Sequence, residues 1–161
     1  MRLIRLFAVL LLVEIGVLAP SAGIARTTDE IPDGAVQVEF VRVIDGDTID
    51  VDFDLGPGVD RDRVRMIGID TPETSYSYGN HPECYGPEAT RKTDSLLVAA
   101  SEIWLERDED PVDPNDRLLR YVWVGELLVN AELVRQGFAF ASTYPPDVQY
   151  QNLFTALQHE A

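Results

Sequence analysis

Apolar and polar residues alternate along "AVQVEFVRVI", residues 35–44, and again along "TIDVDFDL", residues 48–55. Alternation marks a strand with one buried face, because successive side chains point to opposite sides. Asp45-Gly46 lies between the two runs, a dipeptide suited to the tight turn of a hairpin. "RVRMIGID", residues 63–70, predicts a third strand after a loop, "GPGVDRD", at 56–62. Past the polar loop "TPETSYSYGNHPEC", the stretch "YGPEATRKTDSLLVAAS" predicts a helix. Pro87 and Glu88 suit its first turn, and Ala89, Leu96, Leu97 and Ala100 give it one apolar face. "IWLE" (103–106) and "RLLRYVWV" (117–124) predict two more strands, joined by the acidic loop 107–116. "NAELVRQG" predicts a helix with Asn130 as its N-cap and Gly137 as its stop. A last helix is expected from about Asp147, with Tyr150, Leu153, Phe154 and Leu157 on one face. Five short strands with helices inserted late predict an α+β fold, mainly β: a small barrel capped by helices.

The N-terminus stands outside this pattern. "MRLIRLFAVLLLVEIGVLAPSAGIARTT" carries Arg2 and Arg5, an apolar run to about Ala19, and small residues at Gly23 and Ala25. This is the pattern of a signal peptide spanning 1–25, cut after Ala25, and it predicts a secreted protein. The alternative is an uncleaved membrane anchor, although the run is interrupted by Glu14 and is short against the roughly 20 apolar residues a span needs. "RTTDEIPDG", residues 26–34, reads as a linker, which leaves 35–161 as one domain. With no further apolar span, no membrane association is expected after cleavage.

Charge changes the picture more than size does. The 161 residues carry a formal charge of −15, and loss of residues 1–25 moves it to −16. Lys92 is the only lysine beside twelve arginines. An acidic, lysine-poor surface suits concentrated salt, where self-repulsion is screened within about 3 Å at 1 M, so a halophilic source is one expectation. An ordinary acidic secreted protein is the other. Cys84 is the only cysteine, so no intrachain disulfide forms. His81 and His159 are the only histidines, and no paired Cys or HExxH motif is present, which argues against zinc.

The candidate chemistry is acidic and guanidinium. "DGD" at 45–47 resembles the start of a calcium loop, but Ile49 stands where an EF-hand needs an oxygen ligand. Taken alone, the motif is a hairpin. In "RMIGIDTPET", residues 65–74, Asp70 ends the third strand and Pro72 biases Thr71 toward an extended shape. Asp47 opens the second strand, and antiparallel pairing can bring it beside Asp70. Two close carboxylates repel unless a cation joins them, and a hard cation such as calcium suits an all-oxygen set better than zinc does. Arg65 falls on the face opposite Asp70 if the strand is regular, and a bulge at Gly68 changes that. Asp45 reads as a turn former, the acidic residues at 106–116 as a solvated face, Trp104 and Trp123 as core. Tyr76, Tyr78 and Tyr144 read as packing residues or as platforms for bases.

In series, "VIDGDTIDV", "RMIGIDTPET", "YGPEAT", "RLLRYVWV" and "LLVNAELVRQGFA" resemble the staphylococcal nuclease family over roughly residues 36–158. The resemblance implies a five-stranded OB-fold barrel with three helices, and calcium-dependent cleavage of DNA and RNA to 3′-phosphates. It implies that Asp47, Asp70 and the Thr71 carbonyl hold the metal and that Glu73 orients or deprotonates the attacking water. It implies phosphate binding by Arg65 and a second arginine. Arg117, four residues after Asp113, and Arg120, four after Asp116, both fit the second place. Arg117 is preferred because the downstream motifs then align without a gap. Asn115-Asp116 stands where the family often has Tyr-Gly. No stable protein partner is implied, and a monomer is expected. The competing expectation is a catalytically inactive OB-fold module that binds nucleic acid or protein.

Overall fold

The computed structural model describes residues 31–53, 62–74 and 82–161. The expected signal peptide, residues 26–30 of the expected linker, residues 56–61 of the expected loop, and Tyr76, Tyr78 and His81 lie outside the described residues.

Strands β1 (Val36–Asp45) and β2 (Thr48–Asp52) form the expected hairpin, with Asp45 opposite Thr48 and only Gly46-Asp47 in the turn. Strand β3 (Asp62–Met66) pairs antiparallel with β2, and Thr48 faces Arg65 across the pair. On its other side β1 pairs with β5 (Ile103–Glu106), which pairs with β6 (Leu118–Val124). Parallel pairing of β3 with β6, from Val64 opposite Leu118 to Met66 opposite Arg120, closes the ring. The result is a closed five-stranded barrel with three helices, an α+β fold of the OB type. Its interior holds Ile49, Val51, Val64, Met66, Leu105 and Val122, each at most 1% exposed. Tyr121 and Trp123, on the other face of β6, are also fully buried.

The third predicted strand is split. After β3 the chain turns at Ile67-Gly68, and β4 (Ile69–Asp70) leaves the barrel to pair with β8 (Phe140–Ala141). Gly68 has φ 78°, a left-handed conformation that favours glycine. A Cβ there would also stand 2.5 Å from the Phe154 ring, so Gly68 admits the last helix against the barrel.

Helix α1 (Gly86–Leu97) carries Pro87 and Glu88 in its first turn as expected. Strand β7 (Leu127–Leu128) folds back antiparallel on β6 and leads into α2 (Val129–Arg135), where one expectation fails. Asn130 does not cap this helix; it is fully buried inside it. Its amide accepts from the Val122 N–H (2.9 Å) and donates to the Ile67 carbonyl (2.9 Å). A buried amide with both ends satisfied outcompetes a cap, because an unpaired buried carbonyl at the Ile67 corner would be costly. Gly137 does end α2, at φ 73°, with Phe138 N–H on the Leu133 carbonyl and Gly137 N–H on that of Val134.

Helix α3 (Gln151–Glu160) starts later than Asp147. Asp147 is spent instead on the Asp110 N–H, at 2.9 Å. The helix is tied to the barrel through Glu106, which is 6% exposed. That carboxylate accepts from the Trp123 indole at 2.8 Å and from the Tyr150 hydroxyl at 3.0 Å. Trp104 packs only partly buried against the core.

Candidate active site

Residues from the β1–β2 turn, β3 and the chain after β4 converge on one carboxylate. Asp47 is 1% exposed. Its Oδ2 accepts the Thr71 N–H at 2.8 Å and the Thr71 hydroxyl at 3.1 Å, and its Oδ1 accepts the Thr48 hydroxyl at 3.2 Å. Arg65 donates to the same Oδ1 through Nη1. With its other terminal nitrogen, Arg65 donates to Asp70 Oδ1 at 2.7 Å and to the Ile69 carbonyl at 3.3 Å. One guanidinium therefore clamps the two carboxylates that the sequence put at neighbouring strand ends. The turn at Gly68 makes this possible: on a straight strand Arg65 and Asp70 would lie on opposite faces.

Three glycine and hydroxyl contacts draw the segments together, and sequence reasoning missed them. A Cβ on Gly46 would stand 2.6 Å from the Thr71 hydroxyl, so the turn glycine supplies room rather than an unusual φ. Thr93, fully buried, donates from α1 to the Gly46 carbonyl at 2.6 Å. The signal was present, since Thr93 sits four residues from both Ala89 and Leu97 on the apolar stripe. A Cβ on Gly86 would meet the Glu73 carbonyl at 2.4 Å, which presses the start of α1 against the segment that carries Glu73. Glu83 adds a hydrogen bond from the Glu73 N–H, at 3.0 Å. Asp45 behaves as a turn former, accepting the Asp47 N–H at 3.2 Å.

The electrostatics follow from this crowding. Burial raises the Asp47 carboxyl to about 7, against the opposing pull of Arg65, and Asp45 adds to the rise. Burial also raises Glu73, with Asp45 and Asp70 pushing the same way. A site that gathers carboxylates at this cost is short of positive charge.

Arg65 and Arg117 line the same cavity, of about 410 Å³, with Asp113, Ser142, Tyr144 and Asp147 also on its wall. Arg117 immediately precedes β6 and is held by Asp113, whose Oδ2 lies 2.7 Å from both Nε and Nη2. Arg120 goes elsewhere. It donates to the Pro111 carbonyl at 2.8 Å and the Leu119 carbonyl at 2.6 Å, and it does not line the cavity. Tyr144, 74% exposed, stands at the cavity rather than in the core.

Among the described residues no group of three or more His, Cys, Asp and Glu side chains gathers as a ready-made metal cage. The donors that do gather are the oxygens of Asp47 and Asp70, with Arg65 standing between them as a resident cation. An all-oxygen pair of carboxylates, one of them strongly desolvated, fits a hard divalent ion that takes its remaining ligands from carbonyls, water and substrate.

Comparison with known proteins gives consistent matches. The chain matches the family of staphylococcal nuclease homologues over residues 63–161. It is 44% identical to a thermonuclease of Staphylococcus intermedius over 121 residues, 74% of this chain and 68% of that protein. It is 37% identical to a thermonuclease of Staphylococcus hyicus over 142 residues, 88% of this chain and 76% of that protein. The endonuclease YncB of Bacillus subtilis (strain 168) is 35% identical over 128 residues, which is 78% of this chain and 58% of that protein.

Proposed function

Because the chain belongs to the staphylococcal nuclease family, we propose that it is a secreted, calcium-dependent endonuclease that cleaves DNA and RNA and leaves 3′-phosphates. The relatives named thermonuclease and endonuclease support the nuclease reading. The single observation that carries it to this chain is the clamp of Arg65 across Asp47 and Asp70, beside Glu73 and a cavity shared with Arg117. The apolar, arginine-led N-terminus supports export.

Asp47 and Asp70, with the Thr71 carbonyl, would hold the calcium ion. When bound, it supplies Lewis-acid positive charge for a phosphodiester that becomes more negative as it is attacked. Arg65 and Arg117 bind phosphate oxygens through planar forks that stay charged at any working pH. Both forks are already aimed by carboxylates, Arg65 by Asp70 and Arg117 by Asp113, so little side-chain freedom is lost when a phosphate arrives. Glu73 orients the attacking water. Its raised proton affinity, caused by burial and by the neighbouring acids, makes it a better acceptor than a free glutamate. The cleft suits unpaired or frayed strands, which can bend a phosphate into it.

The test is digestion of plasmid and of RNA by the purified protein with calcium or with chelator. Cleavage is expected with calcium alone, and Glu73→Gln is expected to slow it by about 10² or more while the melting curve stays unchanged. Absence of cutting under both conditions would favour the inactive binding module. Normal cutting by Glu73→Gln would remove the water-orienting role.

A further inference from the structure

Phe140 exposes 64% of its surface, whereas Ala141 beside it packs against the core. Both belong to β8, and the register sets Phe140 opposite Asp70 and Ala141 opposite Ile69. Directly opposed residues of an antiparallel pair share one face, with Cβ atoms about 4.5–5.5 Å apart. Ile69, 2% exposed, and Ala141 define the inward face, so Phe140 and Asp70 face outward side by side. The ring thus stands next to the carboxylate that holds Arg65.

An exposed phenylalanine gains nothing for folding at this place, and its surroundings limit what can cover it. The ring adjoins Asp70, whose carboxylate holds the guanidinium that would take a phosphate. A flat apolar surface one side chain from a phosphate site matches the base attached to that phosphate. We infer, resting on the nuclease reading of the site, that Phe140 is a stacking platform for an unpaired base flanking the phosphate bound at Arg65. Stacking is tolerant of base identity and needs an exposed base face, which paired bases inside a duplex do not offer. It also supplies affinity that salt does not screen, which an acidic nuclease cannot obtain from lysines.

The test compares wild type, Phe140→Ala and Phe140→Trp on a short single-stranded oligodeoxythymidylate and on an abasic oligomer of equal length. With calcium, Phe140→Ala is expected to raise KM on the thymidylate about tenfold, with kcat changed less than about twofold. Phe140→Trp restores KM, the abasic oligomer is indifferent to the substitution, and the factor is the same at low and high salt. An unchanged KM, or an equal rise on the abasic oligomer, overturns the platform. If the wild type does not cut at all, the nuclease reading fails separately. Binding of the same labelled oligomers in chelator then decides: about tenfold weaker binding by Phe140→Ala to the thymidylate alone sustains stacking, while equal or absent binding overturns it. A wild-type dimer in sedimentation that Phe140→Ala abolishes assigns the ring to self-association and overturns it as well.

Discussion

A Cβ at position 46 would collide with the Thr71 side chain at 2.6 to 2.8 Å, and Thr71 is what donates twice to Asp47. At the scale of single residues, spacing put Asp47 and Asp70 at neighbouring strand ends, while Arg65, Glu73 and Arg117 were singled out for roles through the family resemblance. The residues that make room for them were not. Gly46 reads as turn chemistry because Asp-Gly usually is, and only three-dimensional contact shows that it serves a close approach. Nothing in the sequence singles out Asp50, which stands within the alternating run of β2. It is 4% exposed and joins Arg42 (2.8 Å) to Arg63 (2.9 Å). Burial pushes its carboxyl up, yet the hydrogen bonds from Arg63 and Arg42 outweigh that and leave it below the ordinary aspartate value of 3.8. A depressed folded value gives stability that is full above 3.8 and is lost as pH falls through the lower folded value. Asp50→Asn is therefore expected to cost roughly 1–3 kcal/mol near neutral pH, with the cost shrinking in thermal melts taken progressively below pH 4. A cost independent of pH would contradict the ion-paired picture.

At the scale of elements, periodicity located the strands and helices but could not see where a strand stops pairing with its neighbour. "RVRMIGID" is read as one strand although its alternation ends at Met66, and Gly68 at φ 78° breaks it into β3 and β4. That break swings Asp70 round to Arg65 and hands β4 to β8. Asn130 misled for a related reason: its type suits a cap, yet a long-range bond to Ile67 across 63 positions of sequence holds it inside the helix. The corner at Ile67-Gly68 is thus secured by tertiary contacts invisible in any window of sequence. Gly68→Ala places a Cβ 2.5 Å from the Phe154 ring in a left-handed backbone. It is expected to destabilise by about 1–3 kcal/mol in urea unfolding, and to lower cleavage beyond what the lost folded fraction explains. Wild-type stability in that variant would mean that the corner is not strained by a side chain.

At the scale of the whole molecule, the barrel with its three helices was legible from element order and resemblance, and the net charge of −15 is unusual for the proposed cleavage of polyanions. A nuclease that neutralises many phosphates with lysine loses affinity steeply as salt rises. Here the two arginines of the cleft, Arg65 and Arg117, are already paired with carboxylates, so few counterions are released on binding. The slope of log KM against log salt is expected to be shallow, about −1 to −2 expressed as log affinity, and cutting should persist toward molar salt. An activity that peaks at low ionic strength and falls steeply would reject both the shallow slope and the halophilic expectation.

The central claim is that folding gathers Asp47 and Asp70 around one cationic site where phosphodiesters are cut. It is tested most directly by the calcium concentration that gives half-maximal cleavage, measured for wild type, Asp47→Asn and Asp70→Asn under identical salt. Each substitution is expected to raise that concentration by about tenfold or more, with the fold retained by circular dichroism. Folded variants that cut with wild-type calcium dependence would contradict it.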